Sequence, residues 1–231
     1  MSAANEFTRY SCGCANATDP ASGVLRSVVK CDHHRSRQRD PATLDEAYYA
    51  ELGIIRDGKL LPTAHVAELA EALGDFPDAP SGSYALEVGC GVSPYVFAIT
   101  VAGYHYVGVE PSKWAADWVW RTYGVRVVNE AIESAHPLIP VYSLILAAHV
   151  LEHLGDAPGA VAKLAAMLRP GGELWVIVPD DSDPTNPDHL FFFTEATLWS
   201  CLEAAGLSVE RMAVRRRVPH ERFIYARAVK K

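Results

Sequence analysis

His149, Glu152 and His153 have the types and the spacing to do chemistry. Two imidazoles and a carboxylate can hold a divalent ion, or one imidazole can act as general base near neutral pH. If the chain turns helical directly after Ala148, spacings of three and four place all three side chains on one face. His189, in Asp188-His-Leu-Phe-Phe-Phe-Thr194, can join them from a later loop. A second constellation is Ala85-Leu-Glu-Val-Gly-Cys-Gly-Val-Ser-Pro-Tyr95. Gly89 and Gly91 allow a tight turn and a ligand's close approach, and a helix beginning there aims its positive end at that ligand. Glu110 follows Gly91 by 19 residues, where a carboxylate accepts two hydrogen bonds from ribose hydroxyls. A dinucleotide site wants a third glycine where this chain has Pro94, and Glu87 would repel its pyrophosphate. For a ligand with a cationic amino group, Glu87 is an asset.

A third group lies near the N-terminus. Cys12-Gly-Cys14 and Cys31-Asp-His-His34 supply three thiols and two imidazoles within 23 residues. Cys12, Cys14, Cys31 and His34, with His33 as a substitute for the last, suit tetrahedral Zn2+ ligation. Zinc would order a segment too polar for its own core; without it these are reduced cysteines in a polar arm.

The elements that must position these groups are legible from apolar periodicity. Short runs at Tyr84–Val88, Tyr104–Val109, Val125–Val128, Tyr142–Ala148 and Glu173–Val178 alternate with helical segments at Tyr95–Ala102, Lys113–Tyr123 and Ala157–Leu168. Such alternation predicts a mostly parallel sheet with helices on both faces and right-handed crossovers. The crossover from Asn129 to Val141 has room for a short helix or none. Thr194–Ala205 reads as a helix stopped by Gly206. Leu207–Val218 and Phe223–Val229, joined by a Pro219–Arg222 turn, read as an antiparallel hairpin. Upstream, Pro41 opens a predicted helix running to about Leu52, and Pro62–Leu73 reads as a second. Residues 1–40 form an arm, 41–79 helices over the site, and 80–231 the main domain.

The chain has 231 residues, 49% apolar and 21% charged, a globular mix that excludes disordered and fibrous classes. No apolar run approaches the roughly 20 residues of a membrane helix. Met1–Phe7 lacks the basic and apolar regions of a leader, and five cysteines, an odd number, argue against a disulfide framework. The expected location is cytoplasmic. The net charge of −7 is uneven: residues 1–45 carry 6 Lys/Arg and 5 Asp/Glu, 46–210 carry 7 and 22, and 211–231 carry 8 and 1. A centre this acidic disfavours broad nucleic-acid binding. Alternation of Arg211, Arg215 and Arg217 with Met212, Val214 and Val218 reads as a solvated outer strand.

Glu87-Val-Gly-Cys-Gly-Val-Ser-Pro, Val107-Gly-Val-Glu110-Pro-Ser and Leu144-Ile-Leu-Ala-Ala-His-Val-Leu-Glu-His-Leu resemble the motifs of class I S-adenosylmethionine-dependent methyltransferases in order and spacing. Pro170-Gly-Gly-Glu-Leu is similar to the family's approach to its fifth strand. The resemblance covers roughly residues 80–230 and departs at Ser93, where many members have a further glycine. It implies an α/β fold, a Rossmann-like seven-stranded sheet of order 3-2-1-4-5-7-6 whose last hairpin is antiparallel. It also implies S-adenosylmethionine as cofactor. Gly89 and Gly91 would border the methionine part, Glu87 would hold its ammonium group, and Glu110 the ribose. Pro111 and Ser112 would lie beside the adenine, Glu130, Ala131 and Ile132 at its edge, and Ala147 and Ala148 would offer carbonyls to the amino group.

The histidine cluster is also similar to two metal-assisted O-methyltransferase groups that carry Glu-x-x-Glu-His after the same strand, one of which caps small RNAs and adds a later His. That likeness implies Mg2+ or another divalent ion on Glu152, His153 and His189, with His149 standing where those groups have the first acid. Relatives with Leu-Glu-His often use no metal, which leaves His149 or His153 as the acid/base group, or the pair as structural. Cys90 and Cys201 read as buried fillers, and Trp114 and Trp118 as packing. Three consecutive rings at Phe191–Phe193 should not all be internal, so at least one is expected in an acceptor pocket, with Tyr48 and Tyr49 closing it. The expected activity is O-methylation of a small-molecule or sugar-like metabolite. An RNA 2′-O-methyltransferase and a non-catalytic cofactor-binding module are the alternatives, and the oligomeric state is left open.

Overall fold

In the computed structural model of the chain, the structure describes residues 17–18, 25–26, 39–52, 54–60, 65–135, 141–180, 188–218 and 221–231. Seven strands form the main sheet: β1 Tyr84–Val88, β2 His105–Val109, β3 Arg126–Val128, β4 Tyr142–Ala148, β5 Leu168–Pro179, β6 Leu207–Val218 and β7 Glu221–Lys230. Their spatial order is 3-2-1-4-5-7-6. β1 to β5 pair in parallel and β7 runs antiparallel to β5 and β6, as the motif order implied.

Alternation along the strands feeds two cores. Leu86, Val88, Ile145, Ala147, Val176 and Val178 point to one face, where α5 (Ala157–Met167) and α6 (Glu195–Ala204) add Val161, Leu164, Leu198 and Leu202. Ala85, Leu144, Leu146, Trp175 and Ile177 point to the other. There α2 (His65–Leu73), α3 (Val96–Val101) and α4 (Lys113–Tyr123) cover them with Leu69, Leu73, Ile99 and Val119. Central strands buried on both faces read as continuous apolar runs, which is why their bounds are so plain in the sequence.

Several elements differ from expectation. The helix expected from Pro41 to Leu52 is two pieces, a 3-10 turn at Pro41–Thr43 and α1 at Glu46–Glu51. Leu44 between them is extended, and Asp45 accepts from Ala47 and Tyr48 N–H, a cap that starts a new helix instead of continuing one. α2 is described from His65, and its expected start at Pro62 lies outside the described residues. The segment after β4 is not an immediate helix. His149 takes φ +57°, a 3-10 turn spans Leu151–His153, and α5 begins at Ala157 under its Asp156 cap. The left-handed residue breaks the strand direction before any helical face can form. No helix appears between Asn129 and Ala135, and residues 136–140 lie outside the described residues. The arm's four expected zinc ligands, Cys12, Cys14, Cys31 and His34, and His33 with them, also lie outside.

Candidate active site

β1, β2 and β4 end side by side at the sheet's carboxyl edge, the place where open α/β sheets bind ligands. After β1, Gly89 (φ +60°) and Gly91 (φ +51°) turn the chain through the left-handed region. A Cβ on Gly89 would strike Val150, and one on Gly91 would sit 3.2 Å from the Tyr49 ring. The turn is tied to the neighbouring strand by Gly89 N–H donating to Val109 O at 2.7 Å. Glu110 is buried there. Its two oxygens accept from Gly91 N–H and Ser112 N–H, each at 2.8 Å, so the acid and the glycine loop form one rigid rim. Asn129 Nδ2 donates to the carbonyls of Glu110 and Pro111 and sets their bend.

Glu87 lies beneath this rim, 3% exposed, and accepts from Ser93 Oγ at 2.6 Å and Tyr106 OH at 2.7 Å. Burial pushes its carboxyl up to about 7, although both hydroxyls pull the other way. Burial likewise raises Glu110, against its two backbone N–H donors. Two buried acids whose carboxyls are raised by burial thus face one cavity, where a cation would favour their charged forms.

A cavity of about 850 Å3 opens from this rim toward the residues after β4. On that side His149 and His153 line it, with side chains about one-third exposed. Glu152 stands behind them, 1% exposed, and neither of its carboxylate oxygens has a hydrogen-bond partner. His149 Nδ1 lies 3.6 Å and His153 Nε2 3.9 Å from its Oε1, too long for hydrogen bonds but short for charges. Burial alone would raise this carboxyl. The nearby His149, His153 and His189 outweigh it and hold the group below its usual range. His153 Nδ1 lies 3.0 Å from Asp188 O; a carbonyl can only accept, so Nδ1 carries the proton and Nε2 turns to Glu152. The donor atoms of Glu152, His153 and His189 lie within 4.8 Å of one another. The three histidines thus gather around the Glu152 carboxylate without sharing a helix face.

The other sequence-derived residues distribute unevenly. Pro111, Ala131, Ile132 and Ala148 line the cavity with Glu87, Gly89, Gly91 and Glu110. Ser112 is fully buried as the cap of α4, and Ala147 is enclosed in the sheet. Glu130 is exposed and outside the lining, where Glu133 appears instead. Tyr48 and Tyr49 do close the cavity; Tyr49 stacks on Trp114 at 5.6 Å. Phe191, Phe192 and Phe193 are all buried and none lines it, which corrects the expectation of an acceptor-pocket ring. Phe191 and Phe193 enter the α5–α6 core while Phe192 turns toward His189. An irregular segment sandwiched between helix and sheet has two interior sides, and the rule that one ring must face solvent fails there. Sequence reasoning missed Arg39, His65 and Asp188, all of which line the cavity. Asp188 and His189 shared one quoted motif and Arg39 ends the basic run Arg35-Ser-Arg-Gln-Arg39, but nothing local placed Arg39 at this cavity or marked His65.

Comparison with known proteins agrees with the fold. The model of the family described as Methyltransferase domain matches residues 62–211. Magnesium protoporphyrin IX methyltransferase from Synechocystis, solved with bound cofactor, superposes with TM-score 0.62 at 16% identity, covering 88% of this chain and 99% of that one. An S-adenosylmethionine-dependent methyltransferase from Mesorhizobium loti gives 0.59 at 13%, covering 73% and 98%. A TehB-like methyltransferase from Corynebacterium glutamicum gives 0.55 at 19%, covering 80% and 94%. No curated protein sequence matches.

Proposed function

We propose, for a chain that belongs to the class I S-adenosylmethionine-dependent methyltransferases, methyl transfer to a hydroxyl oxygen of a small-molecule or sugar-like acceptor. The observation that carries the reading is His149 on the cavity wall, backed by the buried Glu152 carboxylate 3.6 Å from its Nδ1. The cofactor, when bound, supplies an electrophilic methyl group on a sulfonium. The rim fits it: two left-handed glycines leave backbone open to a ligand, Glu110 keeps lone pairs for ribose hydroxyls, and Glu87 suits an ammonium group.

An unactivated alcohol attacks such a methyl poorly, so its proton must leave as the new bond forms. His149 Nδ1 turns to Glu152, which directs Nε2 as the nitrogen that meets the acceptor. Glu87, Gly89, Gly91 and Glu110 would hold the cofactor. As the acceptor oxygen takes the methyl group that the cofactor would supply, the hydroxyl proton would pass to His149 Nε2. Glu152 steadies the resulting imidazolium across the 3.6 Å gap. His153 Nδ1 is engaged with Asp188 O, which fixes its ring, so it serves better in positioning than as the base. Alignment of acceptor and methyl in a covered cavity contributes the largest part, on the order of 7–11 kcal/mol at best.

Acidic residues dominate the charged part of the lining. Among its described residues Arg39 is the one Lys or Arg, against Asp40, Glu87, Glu110, Glu133, Asp156 and Asp188. That balance supports a neutral or cationic small acceptor over RNA, whose phosphates it would repel.

A second reading has its own support. Glu152, with two buried oxygens lacking hydrogen bonds, and His153, whose Nε2 faces it, fit a divalent cation together with His189. Bound there, the ion would lower the acceptor hydroxyl's pKa. Elemental analysis and activity after chelator treatment separate the readings: full activity in metal-free protein favours His149 as base. The decisive experiment incubates pure protein and methyl-labelled cofactor with fractionated cell extract. Label in the small-molecule pool, lost in His149→Ala, supports the proposal; label in RNA or protein overturns its acceptor class.

A further inference from the structure

The cavity's roof is held by contacts that the proposed methyl transfer does not use. Residues 39–52 cross over the glycine loop and are fastened unequally at two ends. At one end Tyr49 is 6% exposed and stacked on Trp114, and Ser112 Oγ donates to Leu44 O at 2.6 Å. At the other, Arg39 meets Asp188 across 149 positions of sequence: its backbone N–H donates to Oδ1 at 3.1 Å and its Nε lies 3.5 Å from Oδ2. The Arg39 side chain is half exposed, its guanidinium carbon 5.1 Å from the Tyr48 ring centre and its Nη1 3.8 Å from Glu51. Apolar packing at the first end is indifferent to salt. An exposed ion pair at the second contributes little in water and is screened. A cover fastened this way opens at the ionic end.

We infer that Arg39 and Asp188 form a clasp that closes residues 39–52 over the reaction chamber and, in closing, sets the histidines. The same Asp188 that receives Arg39 accepts the Nδ1 proton of His153 on its carbonyl. With His153 held in that tautomer, its Nε2 faces Glu152, whose Oε1 also faces His149 Nδ1. Closing the roof therefore also sets the His153 ring beside the carboxylate that backs His149; Arg39 and Asp188 do not touch the reacting atoms, and both are positioning residues. The part concerning His149 rests on the base assigned above, whereas the clasp and the His153 tautomer stand without it.

The clasp and the His153 tautomer are tested without an acceptor. Full-length protein, freed of metal by chelator and labelled with 15N-histidine, is followed by hydrogen–deuterium exchange and by imidazole NMR. Raising NaCl on the wild type, or introducing Arg39→Ala or Asp188→Asn at low salt, should speed exchange at residues 39–44 by about two- to five-fold, the factor expected for an exposed pair. Amides in β1 and β4 should not change, and Arg39→Ala should no longer respond to salt. The His153 ring should pass from the Nδ1–H tautomer to a mixture in both variants, with Arg39→Lys restoring part of it. Exchange at 39–44 that is unaltered by salt and by both variants overturns the clasp. A His153 ring that keeps its tautomer while those amides loosen overturns the link to the base. If both signals appear but His149→Ala turns over normally, the base assignment fails and the clasp stands.

Discussion

Glu87 and Glu152 are both buried carboxyls, yet their surroundings push them in opposite directions, and each direction has a measurable sign. Burial raises Glu87 to about 7 from 4.5. Its protonated form therefore stabilises the ligand-free protein below pH 4.5, and that contribution is lost as pH rises through about 7. A cation bound beside it favours the carboxylate. Cofactor binding measured calorimetrically between pH 6 and 7 in buffers of different ionisation heat should release protons, about half a proton at pH 7, and Glu87→Gln should abolish the release. No buffer dependence would sink the assignment. Glu152 has the opposite sign: the histidines lower it, so its contribution is present at neutral pH and lost as pH falls through that lowered value. Glu152→Gln should flatten the acid limb of a thermal-denaturation profile. For the base itself, His149→Ala should reduce kcat by roughly 100- to 10,000-fold with a small change in cofactor affinity, read by single-turnover kinetics.

At the scale of elements, caps decide where segments begin and therefore which side chains reach the cavity. Asp45 starts α1 and so turns Tyr48 and Tyr49 over the glycine loop. Asp45→Ala should cost about 1 kcal/mol in local opening, seen as faster exchange of the Ala47 and Tyr48 amides. Unchanged exchange there would show that Tyr49 packing alone holds the helix. Strand bounds were legible because a doubly buried strand is an apolar run with turn residues at each end; β1, β4 and α4 coincide with the runs Tyr84–Val88, Tyr142–Ala148 and Lys113–Tyr123. The turn after β4 was not legible. Helical spacing of His149, Glu152 and His153 suggested one face, but the left-handed backbone at His149 brings the same side chains together by another route.

For the whole molecule, charge and shape act together. The acidic centre and the acidic charges of the cavity lining support the proposed preference for acceptors without phosphate, while the arginines of β6 lie on the sheet's edge strand. Binding of single-stranded RNA should be weak, with a shallow dependence on salt; a steep log–log slope would overturn the preference for a small acceptor. No helix among the described residues is long and apolar enough to cross a membrane.

Strand bounds, the glycine turn and the acid after the second strand were legible in the sequence, because periodicity, turn chemistry and motif spacing are local properties of the chain. The strand order came from the resemblance to the family. The tertiary structure decided what meets across distance. It put Asp188 against both Arg39 and His153, His65 within 6.5 Å of His149, and all three Phe191–Phe193 rings in the interior. Such meetings depend on how helices and loops pack over the sheet edge, and no spacing along the chain encodes that packing.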